Sequence, residues 1–508
     1  MNAHSTKCHK NPIQTFLLTA GKHRWLRPYS LIILAILSSF SIRAQEKKSF
    51  VPDWVKDAVF YQIFPERFAN GDTTNDPPGK EPWGNTPKVN NFFGGDLKGV
   101  IDHLDYLQDL GINAIYFNPI FESPSNHKYH TSDYMKIDHN FGNDTTLKLL
   151  LDESHMRGIR VVIDGVFNHT GVHFWAFEDI KQNTEKSKYL KWYNVHDFPV
   201  GPPEKPNYEA WWGLGDLPKL MTDNPEVRKY LFEATMKWTK MGIDGWRLDV
   251  PNEMSHDFWI QWRKVVKKLN RDAYIVGEIW DDATPWLQGD QFDAVMNYRF
   301  RGACVGFIAL ENLSASQFDS ILAVQRSQYP DSVNYVLQNL VGSHDTERFL
   351  TLSTGDDDKL KLAMLMQMTY PGAPMIYYGD EIGMEGGKDP DCRKTMVWDK
   401  TKWNTGLLNW YKRLIKIRNE NPVLRRGTFT TLQVDNARKL YWFMREFEGT
   451  KAVVILNNEP FPQAIEPSGT LLTSGNWHDL LLDVYIDSPI HALVVPARSG
   501  IILLSKSR

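Results

Sequence analysis

A chain of 508 residues is too long for one ordinary hydrophobic core, so a large domain with at least one satellite is expected. With 42 % hydrophobic and 23 % charged residues, the composition excludes a disordered chain and a polytopic membrane protein. Six of the 58 basic residues and none of the 61 acidic ones lie in residues 1–44, so the remainder is acidic, which argues against nucleic acid as a partner.

The chain opens with that basic stretch (Lys7, Lys10, Lys22, Arg24, Arg27, Arg43) around the apolar run "LIILAILSSFSI", which is short for a bilayer span. It reads as an export signal, residues 1–44, cleaved near Ala44. The expected location is periplasmic or secreted, without stable membrane insertion after cleavage; an uncleaved anchor is the alternative. Of three cysteines, Cys8 lies in this leader. Cys304 and Cys392 alone build neither a disulfide framework nor a cysteine-rich metal site.

From about residue 55 short β-rich runs alternate with helical patterns, as in parallel α/β structure. The predicted strands are 58–64, 113–119, 159–165, 245–250, 273–278, 293–298, 334–341 and 374–379, with helices over 224–241 and 358–370 among the connections. Eight such units predict a (β/α)₈ TIM barrel over residues 45–423, with its active site at the carboxyl ends of the strands. A long connection rich in Trp, Tyr, Pro and Gly, residues 166–222, predicts a small domain inserted after strand 3. Residues 424–508 alternate in the β period and predict a C-terminal all-β sandwich.

Polar residues gather where the strands finish. Asp164 ends the third, with His169 just beyond; "GWRLDV" puts Arg247 and Asp249 on one face of the fourth; Glu278 ends the fifth; His344 and Asp345 follow the seventh. Any one could be a cap or a surface charge. A barrel would bring them all to one mouth, where crowded carboxylates repel and one takes a proton. Retaining glycosidases use such a pair, roughly 5 to 5.5 Å apart. Arg247 beside Asp249 suggests Asp249 as the ionised nucleophile and Glu278 as the protonated acid.

"DGVFNH" (164–169), "GWRLDV" (245–250), "GEIW" (277–280) and "GSHD" (342–345), in this order, resemble the α-amylase family of retaining α-glucoside hydrolases. "LPKLMTDNPEVRKYL" (217–231) and "RLDVPNE" (247–253) are most similar to its neopullulanase and cyclomaltodextrinase group. The resemblance implies Asp249 as nucleophile, Glu278 as acid/base and Asp345 as transition-state stabiliser. It implies that Asp164, His169, Arg247 and His344 hold the sugar and that Tyr129 is its stacking platform. Residues 45–57 leave no room for the group's N-terminal β-domain. Oligomeric state therefore stays open, with a monomer slightly favoured. Met221, Leu217 and His130 also differ from the group's usual residues.

"NGDTTNDP" (70–77) and "GGD" (94–96) offer Asn70, Asp72, Asn75, Asp76, Asp96 and the Gly94 carbonyl, oxygen ligands of the kind Ca²⁺ takes. They resemble the family's calcium loop, where the ion would be structural; a turn rich in Asx residues is the alternative. The function expected is exported hydrolysis of α-1,4 and, as an open option, α-1,6 bonds in pullulan, starch oligosaccharides or cyclomaltodextrins. A transglycosylase shares the covalent intermediate and is the nearest alternative. A non-catalytic glycan-binding or transport-accessory protein is the alternative of another class.

Overall fold

The computed structural model describes residues 49–466, 472 and 475–505. The export signal expected in residues 1–44 lies outside them. Eight parallel strands close into a barrel: β1 (Phe60–Ile63), β2 (Ala114–Phe117), β3 (Arg160–Gly165), β4 (Gly245–Leu248), β5 (Tyr274–Gly277), β6 (Ala294–Asn297), β7 (Gln338–Leu340) and β8 (Ala373–Tyr377). Each pairs with its sequence neighbour, and β8 closes on β1 through Phe60 opposite Met375. Every predicted barrel strand is present, shortened at its ends where the ladder stops.

The β4 register explains why a charged pair sits in an apolar strand. Trp246 points outward into the packed layer, its indole N–H donating to Thr239 Oγ1 (3.1 Å). Arg247, one residue on, points into the barrel and is fully buried. Just past the strand, Val250 takes a left-handed φ of 35°, a strained state for a β-branched residue. That turn aims the Val250 N–H at Glu278 on the next strand end (3.2 Å to Oε2).

The helix Pro225–Met241 shows why the connections form where they do. Asn224 caps its first turn by accepting from Glu226 N, Pro sits at the first helical position, and Gly242 ends it at φ 117°. The long connection after β3 holds one helix, Trp175–Asn183, plus short 3-10 turns and isolated bridges such as His169 with Lys219. Its aromatic residues supply a core of their own, with Phe177 between Tyr193 and Tyr208 at 4.9 Å from each ring centre.

Beyond the barrel, a six-stranded antiparallel sheet runs in the order Thr428–Asp435, Leu440–Phe447, Thr450–Asn457, Ser499–Ser505, Asn476–Asp479 and Val484–Asp487. A two-stranded sheet pairs Gln463–Ile465 with Leu493–Val495. Alternation decides which face meets what: Tyr441, Phe443 and Val454 join the barrel's core, whereas Leu440, Trp442, Val453 and Ile455 build a second one. Buried Arg445 fastens the junction, donating to the Thr369 and Leu424 carbonyls at 2.6 and 2.7 Å. Among the described residues, no helix is long and apolar enough to cross a membrane.

Candidate active site

The carboxyl ends of β3, β4 and β5 converge on one guanidinium. Arg247 Nη1 lies 2.8 and 3.0 Å from the two oxygens of Asp164 and 3.0 Å from Asp249 Oδ1. Its Nη2 lies 2.8 Å from Glu278 Oε2. Tyr129 joins the same network: its hydroxyl donates to Asp164 Oδ2 (3.1 Å), accepts from Arg247 Nη1 (3.3 Å) and sits 2.7 Å from His344 Nε2. His344 Nε2 in turn is 3.1 Å from Asp345 Oδ2. Seven of the eight expected catalytic and sugar-binding residues thus form one connected cluster.

The eighth, His169, stands beside the cluster on the side of the inserted segment. Its ring stacks on Trp211 (5.5 Å, 23°), and its buried Nε2 has no partner among the described residues. Burial lowers its pKa to about 3, so the ring is neutral and free to share a hydrogen bond. Burial also holds His344 well below the ordinary imidazole value. With the Gln62 amide nitrogen 2.8 Å from Nδ1, the single ring proton of His344 belongs on Nε2, facing Tyr129 and Asp345.

Arg247 does not select between the two principal acids, contrary to the expectation that it would keep Asp249 alone ionised. It reaches Glu278 at least as closely, and Glu278 accepts further from Val250 N and from the Trp280 indole (3.1 Å). Burial pushes Asp249 well above the usual carboxylate range; Glu278, Asp164 and Asp345 add to this and Arg247 opposes it. Burial, then the nearby Glu278, raises Asp345 to about 7. The proton therefore belongs to the cluster as a whole.

Asp345 has a consequence for stability. Its carboxyl, at about 7 folded against roughly 4 unfolded, binds more protons in the folded state between those values. The associated stability is fully present below pH 4 and lost as pH rises through 7. Asp345→Asn should therefore be more stable than the parent at pH 8, by on the order of 1–3 kcal/mol, and melt higher, at the expense of activity. Thermal melts from pH 8 down to pH 4 check this: the gap should close toward the acid end.

Several cluster members escaped the sequence reading. Gln62 on β1 and Tyr116 on β2 line the floor, and the Tyr116 hydroxyl donates to Asp164 Oδ2 (2.8 Å). Both are polar residues at inward positions of apolar strands, the signal that exposed Arg247. Arg393, 3.3 Å from Asp345 Oδ1 and donating from Nε to the His344 carbonyl (2.8 Å), comes from an irregular segment with no such signal.

The oxygen-rich loops after β1 also meet. Asn70 Nδ2 donates to Asp76 Oδ1 (2.6 Å), leaving the buried Asn70 Oδ1 unpartnered. Gly94, at φ 82°, packs so tightly that a Cβ would come within 2.4 Å of Asp76 Oδ1. The Asn75 amide faces the Asp72 and Asn140 backbone carbonyls at 2.9 and 3.0 Å. Two carboxylates have other partners: Asp72 caps a turn through Thr74 N, and Asp96 accepts from Gly71, Asp72 and Gly99 N–H groups. Lys80 Nζ lies 3.1 Å from Asp76 Oδ2. The orphaned Asn70 oxygen and the glycine cradle fit a hard cation at Asn70, Asp76 and Gly94.

With this geometry in view, the α-amylase catalytic-domain model matches residues 62–427, and the chain belongs to the α-amylase family. Within it, the chain is a cyclomaltodextrinase/neopullulanase-like hydrolase. A cyclomaltodextrinase of Thermoanaerobacter pseudethanolicus is 51 % identical over 418 residues, which cover 82 % of this chain and 72 % of that protein. Neopullulanase 2 of Thermoactinomyces vulgaris is 51 % identical over 417 residues, 82 % of this chain and 71 % of its own length. The ligand-free cyclic α-maltosyl-(1→6)-maltose hydrolase of Arthrobacter globiformis superposes with a TM-score of 0.84 at 40 % identity, over 90 % of this chain and all of that one.

Proposed function

We propose that this protein is an exported, retaining α-glucan hydrolase. Its substrates would be cyclomaltodextrins, pullulan or starch oligosaccharides, cut at α-1,4 and, as an option, α-1,6 bonds. The observation that carries this reading is the placement of Asp249 and Glu278 against Arg247, with Asp345 joined to the same cluster through His344, at the ends of three different strands. The named activities of the similar proteins point to the same substrates. Export rests on the basic, apolar leader.

In the first step, Glu278 gives its proton to the glycosidic oxygen while an Asp249 oxygen bonds to the anomeric carbon, and the leaving sugar departs with the proton. In the second, the Glu278 carboxylate takes a proton from water as that water's oxygen attacks the same carbon and frees Asp249. Two inversions leave the anomeric configuration retained. Asp345 and Asp164 offset the positive charge that builds on the ring, neutral His169 donates to a sugar hydroxyl, and His344 holds Tyr129 and Asp345 in place. Tyr129 supplies a flat ring at the base, with His344 parallel to it (5.6 Å, 4°).

Product analysis tests the reading. Maltose released from cyclodextrins supports a cyclomaltodextrinase, and panose from pullulan supports a neopullulanase. Lengthened oligomers at high substrate point to transfer. Inertness toward all these glucans, by folded protein, would remove the proposal. A structural Ca²⁺ held by Asn70, Asp76 and the Gly94 carbonyl belongs to the same reading. Chelation should lower the melting temperature by several degrees, restored by added Ca²⁺, while activity per folded molecule stays near normal; an unmoved melt would remove the ion.

A further inference from the structure

On the carboxyl-end face of the barrel, beside the mouth, the loops after β1 and β8 enclose a space the reaction does not use. A cavity of about 680 Å³ is bordered by Trp83, Phe93, His103, Trp398, Lys80 and Lys402. A second, of about 550 Å³, adjoins it, and the two share Gly84, Thr395, Val397 and Lys402. Together they form one continuous groove. Its far wall includes Asp391 and Lys394, the neighbours on either side of Cys392–Arg393, and Arg393 touches Asp345.

The aromatic walls are fixed in place. The Trp83 indole N–H donates to the Met396 carbonyl (2.9 Å) and that of Trp398 to the Phe68 carbonyl (2.6 Å). His103 lies against Trp398 with ring centres 3.7 Å apart. Because backbone carbonyls take the indole N–H groups, what these two half-buried rings offer a ligand is apolar ring surface. The polar rim carries both signs: Lys80 is paired with Asp76 at 3.1 Å, and Lys402 lies 3.8 Å from Asp399. Such balance disfavours a phosphate or a polyanion. Flat apolar walls and rim groups that can donate to or accept from hydroxyls suit a neutral oligosaccharide.

We propose that this groove is a second, non-catalytic binding site for α-glucan chains, which holds a polymer beside the mouth while another part of it is cut. The ligand class rests on the proposed function above. The groove itself is tested on the full protein by mobility in native gels containing soluble starch, together with kcat/KM on starch and on a nitrophenyl maltoside. Trp83→Ala and Lys402→Glu should each weaken starch retention at least threefold and lower kcat/KM on starch by a similar factor, leaving the short substrate within twofold. Lys402 is exposed, so its variant decides the matter if Trp83→Ala does not fold. Unchanged starch retention overturns the groove, and so does an equal loss on both substrates, which would mean action through the catalytic pocket. Failure of the parent protein to cut any glucan would instead overturn the functional reading.

Discussion

Asp249→Asn is expected to lower turnover of every hydrolysed glucan by roughly 10³-fold or more, because the nucleophile and its partners act as a unit. The amide keeps the shape and can still contact Arg247, but its neutral group cannot make the ester bond to the anomeric carbon. Folding should survive. Asp249 sits in a crowd of acids that push its carboxyl upward, so removing the charge relieves repulsion. Matched melts and single-turnover assays on one preparation check both halves: retained or higher stability with activity gone. Near-normal turnover would remove Asp249 from the chemistry.

The second large effect belongs to Arg247, the buried cation that Asp164, Asp249 and Glu278 share. Arg247→Leu should cost about 3–5 kcal/mol of stability near neutral pH, since removing one partner leaves buried charges uncompensated. The loss should shrink in acid, where the orphaned carboxyls take up protons. Activity should vanish at any pH, because the acids lose the group that sets their spacing. Denaturant titrations at pH 5 and pH 8 check the first statement. An equal loss at both pH values would mean that Arg247 contributes packing and not charge.

Much of this architecture was readable from residue patterns, for a definite reason. The barrel strands are short apolar runs, and chemistry intrudes on them as polar residues at inward positions: Arg247 in "GWRLDV" stands out because its neighbours Trp246 and Leu248 face the helices. Gln62 and Tyr116 follow the same rule, as polar residues at inward positions of β1 and β2. The segment after β3 carries no period, so its single helix and its bridges could not be placed, and with them the Trp211 ring against His169. Arg393 comes from a loop whose path depends on tertiary packing alone. The proton distribution is not legible in the sequence, because adjacency suggests one partner for Arg247 whereas the fold supplies three.

The central claim is that Asp249 bonds to sugar while Glu278 handles the proton, and trapping tests it most directly. A Glu278→Gln variant given a fluorinated glucosyl donor with a good leaving group should form its glycosyl-enzyme but hydrolyse it slowly, since no carboxylate remains to activate water. Peptide mass mapping should then find one added sugar on the peptide containing Asp249. A label on Asp345, on Asp164 or on no residue while the donor is consumed would contradict the account.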